Sequence, residues 1–88
     1  MKQNLFIESL IALGGKKSKN NKHVIDFIAP FLLIRHKPTR IEYTVAKVKI
    51  HDEDGNPCVY AYRYYDKGGI KKVFIKIKDG NFKDYEPV

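Results

Sequence analysis

Tryptophan is absent from these 88 residues, cysteine and methionine occur once each, and proline occurs four times. A lone Cys58 closes no internal disulfide and supplies no multi-thiolate zinc site, so nothing supports a disulfide-stapled secreted scaffold. The expected setting is intracellular, that is, cytoplasmic. Long apolar runs are missing as well: the longest, residues 27–34, falls far short of the roughly 20 residues a bilayer-spanning helix requires. The apolar stretch at 5–13 is interrupted by Glu8 and Ser9 and followed by lysines rather than by a cleavage site, so it reads as a helix of the fold. No HExxH and no pair of CxxC motifs occur, and Asp52-Glu53-Asp54 lacks the alternating ligands of a calcium loop. No metal, no cofactor and no membrane contact are expected.

What is present is positive charge, unevenly placed. The chain carries 17 Lys+Arg against 10 Asp+Glu, a formal net charge of +7. Residues 1–40 hold eight of the cations and two of the acids, and residues 41–88 hold nine and eight. Lys16, Lys17, Lys19 and Lys22 crowd a polar segment with Ser18, Asn20 and Asn21. Such a cluster raises the local concentration of phosphate groups in a salt-sensitive way. The plainer reading is a solubilising loop.

The length fits a single domain, 1–88, with one modest core. Leu5, Phe6, Ser9, Leu10 and Leu13 recur at helical spacing and stop at Gly14-Gly15, which predicts a short amphipathic helix with a glycine C-cap. A basic loop follows at 14–22. Val24, Phe27, Ile28, Phe31, Leu32 and Arg35 again recur at helical spacing, so a second helix is expected, kinked or shortened by Pro30. The alternative is a strand at 23–28 followed by a helix from Pro30. From residue 40 the pattern turns to period two, predicting an antiparallel meander at about 41–50, 58–65 and 71–78 within the region 40–79. Residues 80–88 form either a tail or a short extra strand. The expected fold class is α+β, one or two N-terminal helices (1–38) packed on a three- to four-stranded antiparallel meander.

Turn chemistry sets an expected register. With Asp54-Gly55 at the tip of the first hairpin, Ile50 faces Val59 and Val48 faces Ala61. A three-residue Lys67-Gly68-Gly69 loop sets Arg63 opposite Val73, Ala61 opposite Ile75 and Val59 opposite Ile77. One sheet face then holds Val48, Ile50, Val59, Ala61, Val73, Ile75 and Ile77, for the helices to cover. The other carries Lys47, Lys49, Tyr60, Tyr62, Tyr64, Lys72, Phe74, Lys76 and Lys78. Ile41, Tyr43 and Val45 have the opposite parity to Val48 and Ile50, so a bulge is expected near Ala46-Lys47.

Aromatics interleaved with lysines on an open sheet face offer rings to bases and cations to phosphates. Lys16, Lys17, Lys19, Tyr60, Tyr62, Tyr64, Lys72, Phe74, Lys76 and Lys78 are therefore candidate nucleic-acid contacts. The plainer reading is that Tyr and Phe form strands well and lysines protect an open sheet from aggregation. His36, beside Arg35 and Lys37, reads as a helix-end charge, and His51 as a turn residue. His23 directly follows the lysine loop, where a neutral imidazole is placed to take a proton from a ribose 2′-hydroxyl while Lys22 and Lys19 hold the phosphate.

The stretch Lys22-His23-Val24-Ile25-Asp26-Phe27 resembles the Lys-His-x-x-Asp-Phe stretch of the colicin D-like domains, within the broad barnase, colicin E5/D and RelE-like ribonuclease superfamily. The order of helices before a meander ending in an apolar strand is loosely similar. The resemblance implies metal-free RNA cleavage of toxin type and carries over to Lys22 and His23 only; the family's further lysine falls on Asn20, and the Ser and Trp of its last strand have no counterpart. Arg63 and Lys72 are additional candidates from the sheet register, Arg63 as a catalytic cation. The expectation is a small basic protein that interacts with nucleic acid, RNA rather than DNA. The alternatives are a non-catalytic single-strand-binding module or a phage or mobile-element accessory protein whose partner is a host protein it inhibits. Oligomeric state stays open.

Overall fold

A computed structural model of the chain describes residues 5–27, 32–64 and 71–88. The fold is α+β. Helix α1 (Leu5–Gly14) precedes seven strands: β1 (Lys16–Lys17), β2 (Val24–Asp26), β3 (Leu33–His36), β4 (Glu42–Lys49), β5 (Cys58–Tyr64), β6 (Lys72–Lys78) and β7 (Tyr85–Pro87). A 3-10 helix over Asp79–Asp84 joins β6 to β7. No helix among the described residues is long and apolar enough to cross a membrane.

All pairings in the sheet are antiparallel, and β4 organises them. Along one edge it pairs with β5, which in turn pairs with β6. Its other edge is shared: β2 pairs with Lys47–Lys49 and β3 with Glu42–Thr44. Between these two short strands the ladder is continued by loop backbone, with Phe27 N–H donating to Ala46 O (3.3 Å) and Val45 N–H to Leu32 O (2.9 Å). β1 extends the sheet beyond β2, and β7 beyond β3. The 3-10 helix thus carries the chain from β6, at one side of the sheet, to β7 at the other.

The second helix expected over 24–35 is replaced by β2 and β3; of the alternative, the strand expected at 23–28 is present as β2 (Val24–Asp26), whereas the helix from Pro30 is not, since Leu33–His36 is a strand. Residues 28–31 lie outside the described set. Two very short strands separated by a proline mimic helical spacing, but the open edge of β4 supplies backbone partners that the N–H-less Pro30 denies a helix. The basic loop at 14–22 is in part also a strand, since Lys16 and Lys17 pair with Asp26 and Ile25. The C-terminal residues form the extra strand, and its partner is β3 rather than the meander. The sheet therefore has more strands than the three or four expected.

The meander itself follows the sequence closely. β5 and β6 pair in the expected register, Val59 with Ile77, Ala61 with Ile75 and Arg63 with Val73; the Lys67-Gly68-Gly69 loop lies outside the described residues. The β4–β5 ladder shifts at Val45/Lys47, where the bulge was expected. Its register is two residues away from the expected one: Val48 pairs with Val59, and Val45 with Ala61. The cause is Asp52. Its Oδ1 accepts the backbone N–H groups of Asp54 and Asn56, both at 2.9 Å, while Gly55 N–H donates to Asp52 O and Asp52 N–H to Asn56 O. This side-chain-centred loop displaces the Asp54-Gly55 tip that a two-residue turn requires. A shift of two preserves facing, so the same side chains reach the core.

The core joins Ile7 and Leu10 of α1 to Ile25, Ile34, Val45, Val48, Val59, Ala61, Ile77 and Phe82. Phe82, on the 3-10 helix, meets Phe6 with ring centroids 5.2 Å apart. The helix ends as its glycines indicate, Gly15 N–H donating to Ile11 O at 3.0 Å. Gly15 also sits where α1 crosses β2: a Cβ there would lie 2.5 Å from Ile25 Cγ2 and 3.2 Å from Ile11 Cα. Gly15→Ala is accordingly expected to cost about 1–3 kcal/mol by overpacking. Gly80→Ala, with nothing within 4 Å of its added methyl, should stay within about 0.5 kcal/mol of the parent. Urea unfolding of the two variants measures the contrast, and equal midpoints would remove the close approach from the account.

Candidate nucleic-acid interface

Cross-strand partners point to the same side of a sheet, so the register lists the side chains of each face. On the side away from the core, one row runs over five strands: Lys16, Asp26, Lys47, Tyr60 and Lys76. The next row toward the start of β4 holds Thr44, Tyr62 and Phe74. Tyr64 and Lys72 follow, and at the opposite end Lys49, Cys58 and Lys78 form a further row. Aromatic rings thus occupy the middle of the face, with lysines at both ends.

Phe74 and Tyr64 are the open rings of this face, Tyr60 and Tyr62 are half-buried, and all three tyrosines are in contact with lysines. Phe74 is 66% exposed and Tyr64 47%. Lys47 and Lys49 place Nζ 5.0 and 5.4 Å from the Tyr60 ring centroid, and Lys72 lies 4.6 and 5.5 Å from the centroids of Tyr62 and Tyr64. Tyr62 meets Tyr64 edge-on at 5.8 Å and 87°, and Phe74 at 5.8 Å and 50°. Alternation along β5 and β6 puts these groups on the outer face because Val59, Ala61 and Ile77 take the inner one.

The loop between β4 and β5 bends back onto one end of this face. The Asp52 carboxylate reaches Lys76 Nζ at 3.4 Å with its side chain only 7% exposed. Backbone N–H donation from Asn56 holds the Asp52 carboxyl below the ordinary 3.8; partial burial opposes this, and the Asp54 N–H and Lys76 reinforce it. For Lys76, partial desolvation works against the charged form, but the Tyr60 phenol and Asp52 outweigh it and raise the pKa above 10.5. Cys58, wholly buried, fills the space between Lys49 and Lys78 as a small packing residue.

Tyr60, Tyr62, Tyr64, Lys72, Phe74, Lys76 and Lys78 therefore share one face as the sequence pattern indicated, and Lys16 joins them through β1 and β2. Lys17 does not; it is in register with the buried Ile25 and belongs to the other side. Lys19 and Lys22 are exposed in the turn between β1 and β2, which Ser18 N–H closes by donating to Val24 O at 2.8 Å. His23 is exposed, and its backbone N–H donates to Asn21 Oδ1. Arg63 pairs with Val73 and faces the core side of β5, away from Tyr62 and Tyr64. His23 lies beside the far end of β4, its carbonyl accepting Ile50 N–H. Arg63 is thus about 20 Å along the strands from His23, at about 3.4 Å per residue. Lys22, His23 and Arg63 do not form one cluster.

Sequence reasoning missed two partnerships. His51 lies 5.6 Å from His23, ring centroid to centroid at 64°, because β2 pairs with the end of β4. Asp26 stands between Lys16 and Lys47 for the same reason. A strand at 23–28 was only the alternative reading, and its pairing with the end of β4 was the missing step in both. Neither family models, curated proteins nor solved structures give a match to this chain.

Asp52 ties loop geometry to pH. A carboxyl whose folded pKa lies below its unfolded value stabilises the fold above that unfolded value, and the contribution fades as pH falls through the folded one. The Asp52→Asn variant is expected to have a lower Tm than the parent at pH 7 and a shallower loss of Tm as pH falls below about 4, near the unperturbed Asp value. Parallel melting curves from pH 7 to pH 2.5 check this, and identical acid limbs would contradict the assigned role.

Proposed function

We propose that this protein binds single-stranded nucleic acid, RNA in preference to DNA, on the outer face of β4, β5 and β6. The observation that carries the reading is the exposed Phe74–Tyr62–Tyr64 group, bordered by Lys47, Lys49, Lys76 and Lys78 on one side and Lys72 on the other. Ring faces accept unpaired bases of any sequence, and ammonium groups meet the phosphates between them. A duplex hides its base faces, so the exposed rings favour single strands.

An eight-nucleotide uridine oligomer, followed by fluorescence anisotropy in EDTA, tests the reading. Phe74→Thr retains strand propensity while removing the ring, and should weaken binding about 5- to 150-fold, the equivalent of one stacked base at about 1–3 kcal/mol. Three to six neutralised phosphates give a slope of log K against log salt of about −2 to −4. Absence of affinity at moderate salt would overturn the reading and direct the search to a protein partner.

A second reading, metal-free cleavage of RNA, draws on the Lys22–His23 resemblance and on the pairing of His23 with His51. One imidazole would take the 2′-hydroxyl proton as the 2′-oxygen attacks phosphorus, and the other would give a proton to the departing 5′-oxygen, leaving a cyclic phosphate. Wild type, His23→Ala and His51→Ala incubated with the same oligomer in EDTA separate binding from cleavage. Cleavage lost in either variant with affinity retained is the expected result for the enzyme. Binding without cleavage in the wild type removes this second reading and leaves the first intact.

A further inference from the structure

Resting on single-strand binding at the β4–β6 face, we propose that the site takes its strand with the bases unstacked and therefore prefers pyrimidine-rich segments to self-stacked adenine runs. Two features of the rings carry this. Tyr60, Tyr62 and Tyr64 are spaced two residues apart along β5, and the ring centroids of Tyr62 and Tyr64 lie 5.8 Å apart. A base-stacked strand advances only about 3.4 Å per nucleotide, so neighbouring stacked bases cannot meet successive rings.

The ring planes give the second, independent constraint. Bases in a stacked strand lie nearly parallel, whereas Tyr62 is turned 87° from Tyr64 and 50° from Phe74. A strand that lays one base on Phe74 and the next on a tyrosine must turn the second base out of the plane of the first. Each nucleotide pays for its ring contact with a lost base–base stack. Uridine and thymidine runs have little stacking to lose, while adenine runs have the most. Lysines at both ends of the face contact the backbone whatever the bases and leave the preference to the rings.

The test compares eight-nucleotide oligomers U8 and A8 on the full chain at one salt concentration, with the deoxy pair dT8 and dA8 alongside. Expected is at least about 5-fold tighter binding of U8 than of A8, the equivalent of about 1 kcal/mol, and the same order in the deoxy pair, because the effect lies in the bases. Circular dichroism of bound A8 should show loss of its stacked-helix signal. In Phe74→Thr the U8-to-A8 ratio should fall toward one. Equal or tighter binding of A8 with its stacked signal intact overturns the inference and leaves single-strand binding standing. Failure of all four oligomers to bind overturns both.

Discussion

The sharing of β4 between opposite edges governs the rest of the structure. Its β5 edge builds the meander, and its other edge gathers β2 and β3, too short to persist alone, end to end. Short strands in water are marginal, and each of these is held between the eight-residue β4 on one side and a strand of two or three residues, β1 or β7, on the other. The same arrangement places Lys16 on one surface with Lys76, although 60 residues separate them. Loss of β4 pairing would dissolve the fold and the candidate interface together.

The legible parts were those with local causes. Period-two alternation over β4 to β6, the glycine-ended α1 and the Val45/Lys47 bulge all follow from side-chain parity and turn residues within one segment. The outer face, and with it most of the candidate site, was therefore readable. β2 surfaced only as the alternative strand at 23–28, behind a preferred helix, and β3 not at all, because strands of three and four residues show no period of their own and owe their conformation to a distant edge. The His23–His51 contact was hidden by that same error. The two-residue shift between β4 and β5 has a different origin: Asp52 caps its own loop, a side-chain preference that outweighed the Asp-Gly turn dipeptide.

The two sides of β5 divide the labour of the chain. Val59 and Ala61 are wholly buried toward α1, while Tyr60, Tyr62 and Tyr64 alternate with them on the other side. A substitution on the inner side costs stability, since full burial of a side chain the size of Val59 contributes roughly 1.5–3 kcal/mol. The outer side carries little of that load at Phe74 and Tyr64, the most open rings. Phe74 and Tyr64 can consequently change without threatening the fold, so variants there test the proposed binding with little interference from folding.

If the face binds nucleic acid as proposed, lysine serves it twice. In the free protein Lys47, Lys49 and Lys72 lie over tyrosine rings, covering apolar surface on an open sheet whose β6 edge would otherwise invite association. At an exposed site such a cation–π contact is worth about 0.5–1 kcal/mol, less than the about 1–3 kcal/mol of a stacked base. On the proposed reading an incoming base would therefore displace the ammonium at a net gain. The displaced charge would then stand beside the nucleotide whose base took its place, its flexible stem free to follow the phosphate. One side chain would thus protect the ring before binding and neutralise the backbone after it, and arginine, whose planar guanidinium stacks more firmly on aromatic faces, would release the ring less readily.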